Sequence, residues 1–365
     1  MHENAHQVTG SDQGRSRAGG AGHIGGHREV LSAIRAQLTT GQSFALCLVV
    51  ATQGSTYRKS GAVAVVSADS SQTGVISGGC LEAGLVIGAQ RAIRAHAAAC
   101  VVFDTQGDDD AVFGSGSGCR GRISVLLIPV SAGDPSPLSE ALIAADAARL
   151  PLQLALSIEG ARLGTGWCWW GAEQRALGSP APELQWLRDR AAGELQLATA
   201  DGPATVAVLR VLPAPRVLLI GAGPEAPALI RIAREMGWYL TVIDHRPVAV
   251  AANACLADHA LVARPMAGLA QLGEETFDAC VIMTHAAASD LEALRSLASR
   301  TEPFVGLLGP PSRRDELLRQ LDVDSRTALG NRLQAPVGLH LGGHGPEALA
   351  LAIAAQLQQR MWTRQ

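Results

Sequence analysis

Apolar and polar positions recur along this chain with two different periods. Val30, Leu31, Ile34 and Leu38 share one helical face over residues 28–38, and Gly41 follows as a stop signal. The apolar run 43–51, the polar turn 52–61 and the β-rich stretch 62–67 predict two strands with a connection between them. A loop at 74–79 leads into an Ala-rich helical stretch over 81–98, and strands are expected at 100–104 and 123–130, flanking the acidic, Gly-rich loop 105–121. Between 135 and 212 the pattern gives helical stretches at 138–150 and 183–192 and strand-like pieces at 152–158, 166–170 and 204–211.

Pro213-Ala214-Pro215 then makes a stiff joint, because proline disfavours helix and keeps its neighbour extended. Beyond it the pattern is strand 216–220, turn 221–223, helix 225–236 closed by Gly237, and strand 239–244. Further strands are expected at 277–283 and 304–308, with helices at 290–298, 315–321 and 346–360. Strands alternating with helices predict a parallel, doubly wound sheet. The expected organisation is a tail over 1–27, an N-terminal α/β domain over 28–212 and a C-terminal Rossmann-like domain over 213–365.

Composition narrows the function classes. A chain of 365 residues with 47% hydrophobic and 17% charged residues has ample apolar surface for two cores. The net charge is −3 and no segment gathers Lys and Arg, which argues against a nucleic-acid partner. Apolar runs such as 44–51 fall far short of the roughly 20 residues of a bilayer span, so no integral membrane segment is expected. The first 27 residues carry no apolar stretch before a cleavage site, and the seven cysteines are an odd, scattered number. Both features point to reduced thiols and a cytoplasmic location.

Gly221-Ala222-Gly223-Pro224-Glu225-Ala226 follows a predicted strand and opens a predicted helix, the G-x-G-x-x-A form of the dinucleotide fingerprint. Gly221 permits the tight turn and Gly223 lets backbone approach a pyrophosphate. Asp244 ends the next strand about 20 residues on, where a carboxylate accepts from ribose hydroxyls. The other reading is a purely structural corner. Met283-Thr284-His285, with Asp290 after it, falls at a strand end where α/β ligands bind; a capping Asp and a surface His explain the same letters. His340 and His344 do not by themselves make a metal site.

In the first domain, Ser77-Gly78-Gly79-Cys80-Leu81-Glu82 places a thiol where a glycine-rich loop becomes a helix. Free amides and the helix dipole there favour thiolate and attract anions. Glu82 stands in the first turn, able to steady the helix or take a proton. Gly118-Cys119-Arg120 offers a second thiol beside a guanidinium. Gly54-Ser55-Thr56-Tyr57-Arg58 reads either as an anion cradle or as an ordinary polar turn. Cys47, Cys100 and Cys280 lie in apolar strand patterns and read as small buried hydrophobes.

Together these motifs resemble the XdhC/CoxI family, accessory factors of xanthine dehydrogenase and related molybdenum hydroxylases. The likeness runs through the 52–61 turn, Ser77–Glu82, Gly118-Cys119, 215–223, 242–247, 283–285, 306–309 and 335–339, and into the final helix. The resemblance implies binding of the molybdenum cofactor, protection of it during sulfuration and delivery to a xanthine dehydrogenase-type hydroxylase. It also implies a cysteine desulfurase or sulfurtransferase partner and a homodimer. In that role Cys80 and Cys119 become transient molybdenum ligands, and the amides of 77–80 or the guanidinium of Arg58 or Arg120 hold the pterin's phosphate. Two departures, Pro224 for a common His and Pro310 for a common Ser, bear on hydrogen bonding in the second domain. The competing readings are an NAD(P)-dependent oxidoreductase using Gly221–Asp244, and a scaffold between sulfurtransferase and hydroxylase.

Overall fold

A computed structural model describes residues 26–79, 81–104, 121–134 and 136–362. The chain divides into two compact units between Ala214 and Pro215.

In the first unit, helix α1 (His27–Thr40) precedes strands β1 (Phe44–Gly54), β2 (Val63–Ser67) and β3 (Gln72–Thr73). Helix α2 (Glu82–Ala95), β4 (Ala99–Asp104) and β5 (Gly121–Val130) follow. These strands form one sheet in the order β3-β2-β1-β5-β4, antiparallel at every pairing. Helix α3 (Pro137–Ala147) leads to a second antiparallel sheet, β8-β7-β6-β10-β9. Its strands are β6 (Leu152–Ser157), β7 (Gly166–Trp170), β8 (Glu173–Leu177), β9 (Gly193–Thr199) and β10 (Gly202–Val211).

The period-2 geometry of β1 explains its unbroken apolar run. Leu46, Leu48 and Val50 face a core shared with α1, α3, β6 and β10, while Ala45, Cys47 and Val49 face Leu85, Ala89 and Ala92 of α2. With both faces covered, no position in the middle of the strand is free to be polar.

The second sheet buries its other face differently from the sequence expectation. A helix over 183–192 is reduced to a 3-10 helix, Pro182–Leu187, and β9 begins at Gly193. Leu184 and Leu187, three residues apart, pack on Ala155, Trp169, Val206 and Val208. That spacing eclipses in a 3-10 turn, so one short turn satisfies the contact. The strands β8 and β9 escape the sequence reading because each lies at a sheet edge with mostly exposed or half-buried positions.

The second unit is a parallel sheet. Its strands are β11 (Arg216–Ile220), β12 (Tyr239–Asp244), β13 (His259–Val262), β14 (Ala279–Ile282), β15 (Val305–Leu307) and β16 (Leu333–Gln334). The spatial order is β13-β12-β11-β14-β15-β16, which is the 3-2-1-4-5-6 order of a dinucleotide-binding fold. Helices α4 (Ala226–Glu235) and α10 (Pro346–Trp362) cover Val217, Leu219, Leu240, Val242 and Val281 on one face. On the opposite face, α6 (Pro265–Gln271), α7 (Ala287–Ala298), α8 (Pro311–Arg319) and α9 (Val323–Leu329) pack on Leu218, Ile220, Ile243 and Ile282. Helix α5 (Pro247–Ala254) follows β12. The doubly wound sheet expected from the strand–helix alternation is therefore present, with α5, β13, α6, α9 and β16 added.

Candidate functional sites

Two of the polar segments singled out in the first unit, and the glycine that follows the third, come near one end of the first sheet. Strand β1 carries Gly54 into register with Gly121, the first residue of β5. A Cβ built on Gly121 would lie 2.3 Å from the Ser55 carbonyl oxygen and 2.8 Å from Thr56 Cγ2, so this close approach admits only glycine. On the other side, Tyr57 Cδ2 stands 3.8 Å from where a Cβ of Gly78 would be. The Gly54–Arg58 turn thereby approaches Gly78 through Tyr57, with Lys59 Nζ donating to Thr56 Oγ1 at 3.2 Å. Tyr57 is 64% exposed at this junction. The candidates Cys80, Gly118, Cys119 and Arg120 lie outside the described residues.

The start of α2 departs from the phosphate cradle expected there. Glu82 turns back over its own helix end: Ser77 N donates to its Oε1 at 3.0 Å, Leu81 N to its Oε2 at 3.2 Å, and the Ser77 hydroxyl to the same Oε2. Leu81 N also reaches Ser77 Oγ at 3.1 Å, and Gly79 N does so at 3.3 Å. The amides of Ser77, Gly79 and Leu81 are thus satisfied internally, those of Ser77 and Leu81 by the Glu82 carboxylate. Among the described residues, the exposed Lys59 and half-buried Arg58 are cations of this junction.

In the second unit the glycine turn has the expected backbone. Gly221 adopts φ +114°, and a Cβ there would lie 2.4 Å from the Met283 carbonyl oxygen, where β11 and β14 come together. Ala226 is fully buried, which lets α4 sit close on the sheet.

The carboxylates around the turn differ from the expectation. Asp244 Oδ2 accepts from Ala222 N at 2.7 Å and from Arg246 Nη2 at 2.7 Å. Its Oδ1 accepts from Arg246 N at 2.8 Å and from Arg246 Nε at 2.9 Å. A carboxylate has about four lone-pair sites, so all are used and a ribose hydroxyl has to displace Arg246. Burial works to raise the Asp244 pKa, but the bonds from the Arg246 side chain and from the Ala222 and Arg246 amides outweigh it and hold the carboxyl at about 2.

Above Gly223, His285 Nε2 and Glu225 Oε2 meet at 3.0 Å. Each lies 3.0 Å from a Cβ built on Gly223, so the pair covers the surface a pyrophosphate needs. His285 is held at φ +59°, a left-handed conformation that costs a side-chain-bearing residue energy. Behind it, Thr284 Oγ1 donates to Asp290, which is 1% exposed and takes Arg313 Nε at 3.0 Å and Nη2 at 2.6 Å. Sequence reasoning finds His285 and weighs Asp290, but it misses Glu225 and Arg313 as site residues. Nothing in their spacing says which way the side chains turn.

No cluster of three or more potential metal ligands occurs among the described residues. Nor is any described helix long and apolar enough to cross a membrane.

A unit of paired antiparallel sheets followed by a 3-2-1-4-5-6 parallel sheet defines a two-domain protein with a Rossmann C-terminal half. Residues 217–357 match the XdhC Rossmann domain, and residues 37–104 match the XdhC and CoxI family. The chain belongs to the XdhC/CoxI family. It is 27% identical over 323 residues to a probable xanthine dehydrogenase subunit of Bacillus subtilis (strain 168), covering 86% of this chain and 92% of that protein. The crystal structure of a xanthine dehydrogenase from Bacillus halodurans superposes with a TM-score of 0.75 at 28% identity, covering 93% of this chain and 97% of the other.

Proposed function

We propose that this protein is an accessory factor that holds the molybdenum cofactor through its sulfuration and passes it to a xanthine dehydrogenase-type hydroxylase. The observation that carries this reading is the approach of the Gly54–Lys59 turn to Gly78 and to Gly121, the turn and Gly78 lying inside the stretch that matches the XdhC and CoxI family. Cys80 and Cys119 flank that junction in the sequence. Bound there, the cofactor supplies a soft molybdenum centre suited to thiolate. Of the protein's own groups, the guanidinium of Arg58 or Arg120, with Lys59 beside Arg58, is the one to attract the pterin's phosphate, since Glu82 already takes the amides of Ser77 and Leu81. The names of the relatives from two Bacillus species support a hydroxylase of the xanthine dehydrogenase type as recipient.

Anaerobic purification followed by molybdenum and pterin analysis tests the proposal. The native chain should carry both in similar amounts, and Cys80→Ser or Cys119→Ser should lose molybdenum. Undiminished metal in both variants refutes the ligand assignment, and native protein devoid of metal and pterin after co-expression with the cofactor pathway refutes the carrier role. The NAD(P)-dependent oxidoreductase reading finds less support: Asp244 has its acceptor sites filled, and Glu225 and His285 cover Gly223.

A further inference from the structure

We propose that Tyr57 is the side chain on which the cofactor's flat ring stacks in the first unit, with the bare backbone of Gly78 and Gly79 bordering the slot. The inference rests on the carrier reading and names the residue that holds the ring. Among the described residues, Tyr57 at 64% and Trp186 at 84% are the aromatic side chains left mostly in solvent, whereas Phe44, Trp169 and Trp238 are buried in cores. Trp186 stands on the 3-10 turn over the second sheet. Tyr57 stands in the connection between β1 and β2, directly before Arg58 and Lys59.

What borders the ring is the second observation. Among the described residues, a Cβ built on Gly78 meets Tyr57 Cδ2 at 3.8 Å, and one built on Gly79 meets nothing within 4 Å. The ring's edge therefore lies by a strip of backbone that carries no side chains, and the space beside Gly79 is open. A flat heteroaromatic ring fits such a surface, since it needs an aromatic face to stack on and no side chain projecting into its plane.

The backbone that carries Tyr57 is also tied down. Gly61 N donates to the Val49 carbonyl at 2.9 Å, Ala62 N to the Lys59 carbonyl at 3.1 Å and the Ser60 hydroxyl to the Val50 carbonyl at 2.9 Å. A ring on a turn already ordered loses little freedom on binding, so the stacking contact adds to affinity instead of going into ordering the loop. With Arg58 and Lys59 next in the chain, one turn offers a flat face and two cations, which a ring bearing a phosphate can use together. A nucleotide shares those two features, and the experiment separates it from a pterin.

The test uses the full chain co-expressed with the cofactor pathway, purified anaerobically and assayed for bound pterin, molybdenum and nucleotide. Native protein, Tyr57→Leu and Tyr57→Phe are compared by the rate at which pterin leaves on dilution. Tyr57→Leu should release it at least about fivefold faster, the lower end of what one base–aromatic stack contributes. Tyr57→Phe keeps the ring and should release it at the native rate, and both variants should keep the native thermal midpoint. Equal release by native protein and Tyr57→Leu overturns the stacking role and leaves the carrier reading standing. Release from Tyr57→Phe as fast as from Tyr57→Leu overturns it too, because the hydroxyl and not the ring would then hold the ligand. Native protein free of pterin, with or without a nucleotide, overturns the carrier reading and this inference together, so the two failures are told apart.

Discussion

The amide of Ala222 donates to Asp244 Oδ2 at 2.7 Å, tying the glycine turn after the first Rossmann strand to the end of the second. With Arg246 closing the other three acceptor positions, Asp244 acts as the fastener of this corner. Its replacement by alanine strands a buried amide and releases Arg246, and should destabilise the unit by about 3 kcal/mol, read as a lower urea midpoint.

The same contact has a pH signature. The folded pKa of Asp244 is depressed to about 2, below its unfolded value, so its contribution is fully present above roughly pH 4 and is lost as pH falls toward 2. The native chain should lose stability across that acid window, and Asp244→Asn should show a flatter profile there in thermal melts.

Glu82 folds onto the amides of Ser77 and Leu81 at the start of α2. Glu82→Ala should cost about 1 kcal/mol, as loss of a helix cap does, with Glu82→Gln costing less. Hydrogen exchange should speed up at residues 77–85 in the alanine variant; unchanged protection there contradicts the capping role.

Gly121 sits where a Cβ would meet the Ser55 carbonyl at 2.3 Å. Gly121→Ala should push the Ser55–Arg58 segment away and destabilise the first unit by about 2 kcal/mol. Under the carrier reading it should also lower bound molybdenum, although both cysteines remain.

Burial raises the thiol pKa of Cys47 and of Cys168 to about 12, and pushes that of Cys280 well above its ordinary value. Cys255 is exposed. Alkylation of the native protein at about pH 8, read by peptide mass spectrometry, should modify Cys255 and spare the other three until the chain is denatured.

Much of this architecture was legible because periodicity and glycine placement are local facts. The helical face of Val30, Leu31 and Ile34, the unbroken run in β1 and the strand, Gly221-Ala222-Gly223, helix sequence all announce themselves within a few residues. Edge strands β8 and β9 did not, since a strand exposed on much of its length carries little apolar signal. The antiparallel pairing of the first unit was equally hidden, because register is settled between segments as distant as Phe44 and Val130.

Residue order alone determined that a helix follows the glycine loop at 77–79 and another the glycine turn at 221–223, since backbone sterics and hydrophobic periodicity act over a few neighbouring positions. Only the tertiary structure decided what fills them: Glu82 over its own helix amides, Arg246 on Asp244, and Glu225 with His285 across Gly223. A carboxylate near a helix start has the same letter whether it caps, pairs or waits for a ligand, and hydrogen-bond partners up to 60 residues apart settle which.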